Sequence, residues 1–165
     1  MFIQKISAYL HATFHIRAVC KYLKMDVQKF KGQLDEFGFP FLLVDLINPI
    51  TNKAIENAKA IIDTGAAYSC VKQNVIDALN INSAREITTK HVNDGNLKTG
   101  VFGLDIKFNR KIIVPNLETR ILHLTEYPSD LIIGLDILKH CDFNYDSVHK
   151  TFSFHLFPTS NVPQK

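Results

Sequence analysis

An apolar run, Ala60-Ile61-Ile62, climbs to the single carboxylate of Asp63 and then breaks on Thr64-Gly65-Ala66-Ala67. Apolar strand residues carry such a carboxylate to a sheet edge or the wall of a cleft. Gly65 lets the chain turn sharply and lets another backbone come close. A carboxylate held there can exchange a proton with a bound substrate. It can also cap a turn in any β protein, and the tetrapeptide alone does not choose between the two. A second stretch of related character is Leu131-Ile132-Ile133-Gly134-Leu135-Asp136, an apolar strand ending on a glycine. Asp136 reads as a structural carboxylate at the start of a short helix.

Other chemistries lack a pattern. The seven His (11, 15, 91, 123, 140, 149, 155) show no H-x-x-x-H or H-E-x-x-H spacing. They read as surface or core residues, and no metal or cofactor is expected. Cys20, Cys70 and Cys141 are odd in number and have no C-x-x-C spacing. Reduced, buried thiols in a cytoplasmic protein are expected, ahead of a disulfide or zinc site. Ser69 has no nucleophile-elbow context, and Gly100-Val101-Phe102-Gly103 makes no phosphate loop. The 165 residues are 46% hydrophobic and 21% charged, with a net charge of +3 and no long Lys or Arg run. That is enough chain for one domain with a real core, and too mild a charge to argue for nucleic acid. Uncharged apolar runs fall well short of the roughly 18 residues of a membrane span, so no membrane partner is expected.

The elements that must position Asp63 are mostly strands. Residues 1–24 have helix-compatible apolar spacing, but His11, His15 and Arg17 spoil any signal-peptide reading. Residues 1–26 are expected to be a peripheral extension, with Met25 an alternative start. Residues 27–158 would form the domain and 159–165 a tail. Period-two alternation begins at Val27, Asp35-Glu36-Phe37-Gly38 signals a turn, and Phe39 to Leu46 is a second strand. After a loop at Asn48-Pro49, Ala58 to Ile62 is the third strand and Tyr68 to Val71 a short fourth. Lys72 to Leu79 is an amphipathic helix with Val75, Ile76 and Leu79 on one face, ended by Asn80. Asp94-Gly95 between two β-rich segments signals a hairpin, and Gly100 and Gly103 in its return strand suggest bulges or a bend. Lys111 to Val114 is a strand that Pro115 ends, followed by a strand from Arg120 to Leu124. A short helix should follow Gly134. Asp142–Tyr145 and Thr151–Phe157 close the chain as a hairpin. About ten short strands and one or two short helices give a mainly β barrel or sandwich.

Three stretches now stand in order: Ile61-Ile62-Asp63-Thr64-Gly65-Ala66, then His91-Val92-Asn93-Asp94-Gly95-Asn96, then Leu131 to Leu138. Together they resemble the retropepsin-like aspartic proteases. The chain is similar to the stand-alone bacterial members and to the protease domain of DNA-damage-inducible ubiquitin-shuttle proteins. Gly32 to Pro40 also resembles the start of the bacterial group, and the likeness spans roughly residues 30–157. It implies a closed β-barrel, the half-lobe of an acid protease, that works as a homodimer on peptide or protein substrates. Asp63 would be the catalytic carboxylate of an aspartic endopeptidase. Thr64 would lock two loops across the dimer axis, and Gly65 and Ala66 would complete the active-site loop. Ala67 and a flap of Val92, Asn93, Asp94, Gly95 and Asn96 would contact substrate. Ile133 and Gly134 would pack beneath the loop, and Thr151–Phe157 would join the interface sheet. Retroviral members often pair an acidic residue with an Arg at the positions of Ala67 and Leu135. Both partners are missing here together, so neither charge is orphaned. The flap carries one glycine at its tip. A non-catalytic dimer of the same fold, holding extended peptides by β-augmentation, is the alternative. A protease that only matures its own precursor is a third.

Overall fold

A computed structural model describes residues 28–91, 95–108, 113–123 and 128–156. The expected N-terminal extension and tail, and the flap tip Val92–Asp94, lie outside the described residues. In order, the elements are β1 (Gln28–Leu34), β2 (Pro40–Ile47), β3 (Ala54–Ile62), β4 (Cys70–Val71), α1 (Gln73–Leu79) and β5 (Arg85–His91). Then come β6 (Gly95–Lys107), β7 (Ile113–Ile121), β8 (Leu131–Ile133), α2 (Leu135–Leu138), β9 (Cys141–Asp146) and β10 (Thr151–Leu156). The architecture is mainly β. The strands join in the order β5-β6-β7-β4-β8-β3-β2-β1-β10-β9, and β6 also pairs with β2. That extra pairing brings the far part of the sheet back onto its middle, with Leu46 opposite Ile106.

Alternation builds the core. Leu42, Val44 and Leu46 of β2 are buried while Leu43 faces out. Ala58, Ala60 and Ile62 of β3, Phe102, Leu104 and Ile106 of β6, and Phe152 and Phe154 of β10 meet them. Phe30, Phe108 and Phe154 form an aromatic cluster with ring centres 5.6 to 6.0 Å apart. Val75, Ile76 and Leu79 are the buried face of α1, and Asn80 ends that helix in the left-handed conformation. Buried Asn48 ties this end down, donating to the carbonyls of Leu79 (3.1 Å) and Asn80 (3.3 Å).

The strand boundaries differ from expectation in instructive places. β3 starts at Ala54, because the polar segment Ala54–Asn57 continues the ladder along β2 past a register shift at Val44/Leu46. β4 is only Cys70–Val71, because Tyr68 and Ser69 still belong to the loop. Pro115 does not end a strand: β7 runs through it. The β6–β7 register shifts between Leu104 and Ile106, so Pro115 sits at a bulge where no ladder N–H is needed. Asn116 beside it has φ +48, and its N–H donates to Asp105 Oδ1 at 2.7 Å. The extra residue is therefore on β7, where Pro115 and Asn116 together face Asp105, while Gly100 and Gly103 stay in register. Gly100 makes room for the Phe102 ring and Gly103 for the Asn116 side chain.

Candidate active site

β3 and β8 run parallel, with Ile62 opposite Ile133. The last rung continues into the loop, where the Asp63 N–H donates to the Ile133 carbonyl at 3.0 Å. The chain then turns back on its own carboxylate, and the Gly65 N–H donates to Asp63 Oδ1 at 2.8 Å. This fixes one carboxylate oxygen while the side chain stays partly exposed. Thr64, Gly65 and Ala67 are exposed and Ala66 is half-buried.

Behind the loop, Gly134 comes so close that a Cβ there would stand 2.6 Å from the Tyr68 carbonyl carbon and 2.9 Å from the Ala66 oxygen. The Leu135 N–H donates to that Ala66 oxygen at 2.8 Å. Ser69, fully buried, is the pin between the two motifs. Its hydroxyl accepts from the Gly134 N–H (3.1 Å) and donates to Asp136 Oδ1 (2.8 Å), and its N–H donates to Asp136 Oδ2 (2.9 Å). The sequence pointed to Ile133 and Gly134 behind the loop but not to Ser69, because a serine–aspartate pair separated by 67 residues leaves no local pattern.

Asp63 and Thr64 line a cleft of about 270 Å³ with Phe39, Pro40, Ile62, Phe143 and Tyr145. Phe39 is placed by the β1–β2 turn, in which Asp35 Oδ1 accepts the N–H groups of Phe37 (3.1 Å) and Phe39 (2.9 Å). Phe143 and Tyr145 project from β9 on the side of Phe154 and Phe152, their partners in register. They remain 36% and 44% exposed because β9 is the last strand of the sheet and overhangs the cleft. The sequence reading missed both as cleft residues.

The expected flap is a hairpin: β5 and β6 pair from Arg85↔Val101 to His91↔Gly95. Gly95 and Asn96 begin its return strand, and Val92, Asn93 and Asp94 lie outside the described residues. β10 lies between β1 and β9 with partners on both sides, so its backbone is already satisfied, and among the described residues the edge strand there is β9. Cys70 and Cys141 are unpaired and half-buried. Burial pushes the Cys70 thiol up to about 11 and the Cys141 thiol up to about 12. Among the described residues, no group of three or more His, Cys, Asp or Glu could hold a metal ion. No helix among them is long and apolar enough to cross a membrane.

No protein-family model matches the sequence, and no curated protein matches it. Among solved structures, the fold is similar to that of a retropepsin-like aspartic protease from Rickettsia conorii, with a TM-score of 0.56 and 14% identity. The match covers 79% of this chain and 92% of that one. The chain thus has a mainly β, retropepsin-like fold. A likeness of fold does not by itself carry an activity.

Proposed function

We propose that this chain is an aspartic endopeptidase that works as a homodimer, with Asp63 of each copy at the twofold axis. The observation that carries this reading is Asp63 itself. It is a carboxylate at the end of a core strand, oriented by the Gly65 N–H and set in the wall of an apolar cleft within a retropepsin-like fold. Hydrolysis by this route needs two carboxylates that share one proton. The ionised one takes a proton from water as the water oxygen attacks the peptide carbonyl, and the protonated one gives its proton to the carbonyl oxygen. Collapse of the tetrahedral species then breaks the C–N bond, with a proton delivered to the leaving nitrogen. Two carboxylates this close cannot both ionise, so their pKa values belong to the pair and activity should be bell-shaped in pH.

One chain carries one Asp-Thr-Gly. The second carboxylate must come from a second copy, and an isologous C₂ contact places identical loops face to face. Because β10 is paired on both sides, the strand open to that contact is β9, beside the cleft. The catalytic unit is residues 27–158. A reducing, cytoplasmic setting fits the two free thiols. The stand-alone bacterial type and the ubiquitin-shuttle type both remain compatible with this site. The alternative is a peptide-binding dimer without turnover. A well-folded dimer that binds extended peptides but cleaves none at any pH would favour it.

Cleavage of casein across pH about 3.5 to 7.5 by wild type and Asp63→Asn, with sedimentation in parallel, tests the proposal. A dimer whose bell-shaped activity vanishes in the variant is the expected result. A flat profile, or undiminished activity in Asp63→Asn, would rule out the dyad.

A further inference from the structure

Near the end of the loop that begins at Asp63 stands Tyr68, which is 49% exposed. The Arg120 guanidinium carbon stands 3.4 Å from the centre of the Tyr68 ring. Backbone contacts hold this stack in place. The Arg120 N–H donates to the Ser69 carbonyl at 3.2 Å, and Cys70 of β4 pairs with Arg120 of β7. Arg120 also pairs with Val101, the residue opposite Arg85 at the base of the β5–β6 hairpin. The cation therefore sits where the hairpin's base meets the end of the Asp63 loop.

The nearby carboxylates are engaged elsewhere. Glu118, two residues back along β7, takes two bonds from Arg85 at 2.6 and 2.7 Å. The Asp136 oxygens accept from Ser69 and from the Ile137 N–H. Among the described residues, no carboxylate forms an ion pair with Arg120. An aromatic face attracts a guanidinium without neutralising it and leaves the planar fork of donors free along its edge. Arg120 is half-buried, so its field is screened less than that of a fully solvated side chain.

We propose that the Tyr68–Arg120 pair is a specificity subsite that takes an acidic side chain of the bound peptide, away from the scissile bond. The proposal rests on the reading of Asp63 and its loop as a peptide-cleaving groove. A peptide that runs from Asp63 along its loop towards the base of the hairpin, beyond the cleft lined by Phe39 and Phe143, would meet Arg120. A Glu or Asp there meets the guanidinium fork in bidentate geometry, whereas a Lys meets like charge.

The test uses peptides built on a site the protein cleaves in casein, carrying Glu, Gln or Lys at successive positions on either side of the scissile bond. At one position wild type should prefer Glu over Gln by about tenfold in kcat/KM, a charge-assisted bond's worth. In Arg120→Gln that ratio should fall to about one, Arg120→Lys should keep part of it, and Arg120→Glu should reverse it towards Lys. Thermal melts report whether each variant is folded, and the ratio is internal to each variant. Active wild type with no Glu preference at any position, or a ratio unchanged in Arg120→Gln, overturns the subsite and leaves the protease intact. The same labelled peptides are also bound to the Asp63→Asn protein. A Glu preference there that needs Arg120 supports the subsite even without turnover. Neither cleavage nor binding of any peptide overturns the groove itself and the subsite with it.

Discussion

Replacing Gly134 by alanine should loosen the active-site loop from its support. The glycine needs no unusual backbone, since its φ is −99°. It needs space. A Cβ would lie 2.6 and 2.7 Å from the carbonyl carbon and oxygen of Tyr68 and 2.9 Å from the Ala66 oxygen. All three are backbone atoms, so no side chain can swing aside. The loop would have to retreat by about 1 Å to reach ordinary contact distance. That retreat stretches the Gly134 N–H to Ser69 Oγ bond (3.1 Å) and the Leu135 N–H to Ala66 bond (2.8 Å). Overpacking costs about 1–3 kcal/mol and each weakened hydrogen bond about 1 kcal/mol. The sum is about 3–5 kcal/mol, out of a total stability on the order of 5–15 kcal/mol. At about 2–4 °C per kcal/mol for a chain of this size, Tm should fall by roughly 6–20 °C. Gly103→Ala is the control. There the added Cβ meets the side-chain oxygen of exposed Asn116, which can rotate away, so little loss is expected. Thermal and urea unfolding of the three proteins at one concentration would decide, because dimerisation makes Tm concentration-dependent. A Gly134→Ala protein within about 0.5 kcal/mol of wild type, or equal damage in Gly103→Ala, would refute the steric account.

Three further outcomes follow from particular contacts. Asp136→Ala strands the N–H and hydroxyl of buried Ser69 and should cost about 2–4 kcal/mol in urea unfolding, with Asp136→Asn, which keeps one acceptor oxygen, costing less; equal losses in the two would argue against the pin. Burial alone would raise the Asp35 carboxyl, but the Lys59 ammonium at 3.0 Å and the N–H groups of Phe39 and Phe37 outweigh it and hold the group below its ordinary 3.8. Because the folded value is the lower one, the stability Asp35 contributes is complete above pH 3.8 and is lost as pH falls through the folded pKa. Wild type should therefore lose more stability on acidification than Asp35→Asn, and parallel urea midpoints down to about pH 2.5 would contradict this. Cys70 and Cys141, with thiols pushed to about 11 and about 12, should resist alkylation at neutral pH until the protein is unfolded. Rapid native labelling of either, mapped by peptide mass, would count against the burial described.

The parts of the fold visible in the sequence are those with local signals. Alternation gives β2 and β10, the apolar face gives α1, Asp94-Gly95 gives the hairpin, and Asp63-Thr64-Gly65 with Ile133-Gly134 gives the loop and its support. The misreadings come from contacts between distant segments. Pro115 looks like a strand end because nothing local shows that β7 bulges there against β6. Gly100 and Gly103 look like bulges because the side chains that fill their space, Phe102 and Asn116, are recognisable only once β6 and β7 are paired. Phe143 and Tyr145 go unmarked as cleft residues because alternation shows which face a residue occupies but not that its strand ends the sheet. The Ser69–Asp136 pin and the Tyr68–Arg120 stack join residues 67 and 52 positions apart, where sequence carries no spacing rule.

The most direct test of the shared dyad is subunit mixing. Wild type and Asp63→Asn are combined in equal amounts, dissociated and reassociated, and assayed on casein at the optimum pH. If each active centre takes one carboxylate from each copy, mixed dimers are inactive. Activity per wild-type chain should then fall to about half, since random pairing puts only about half of the wild-type chains with a wild-type partner. Activity per wild-type chain that stays unchanged on mixing would mean that Asp63 works without its symmetry mate, and the dimeric mechanism would be wrong.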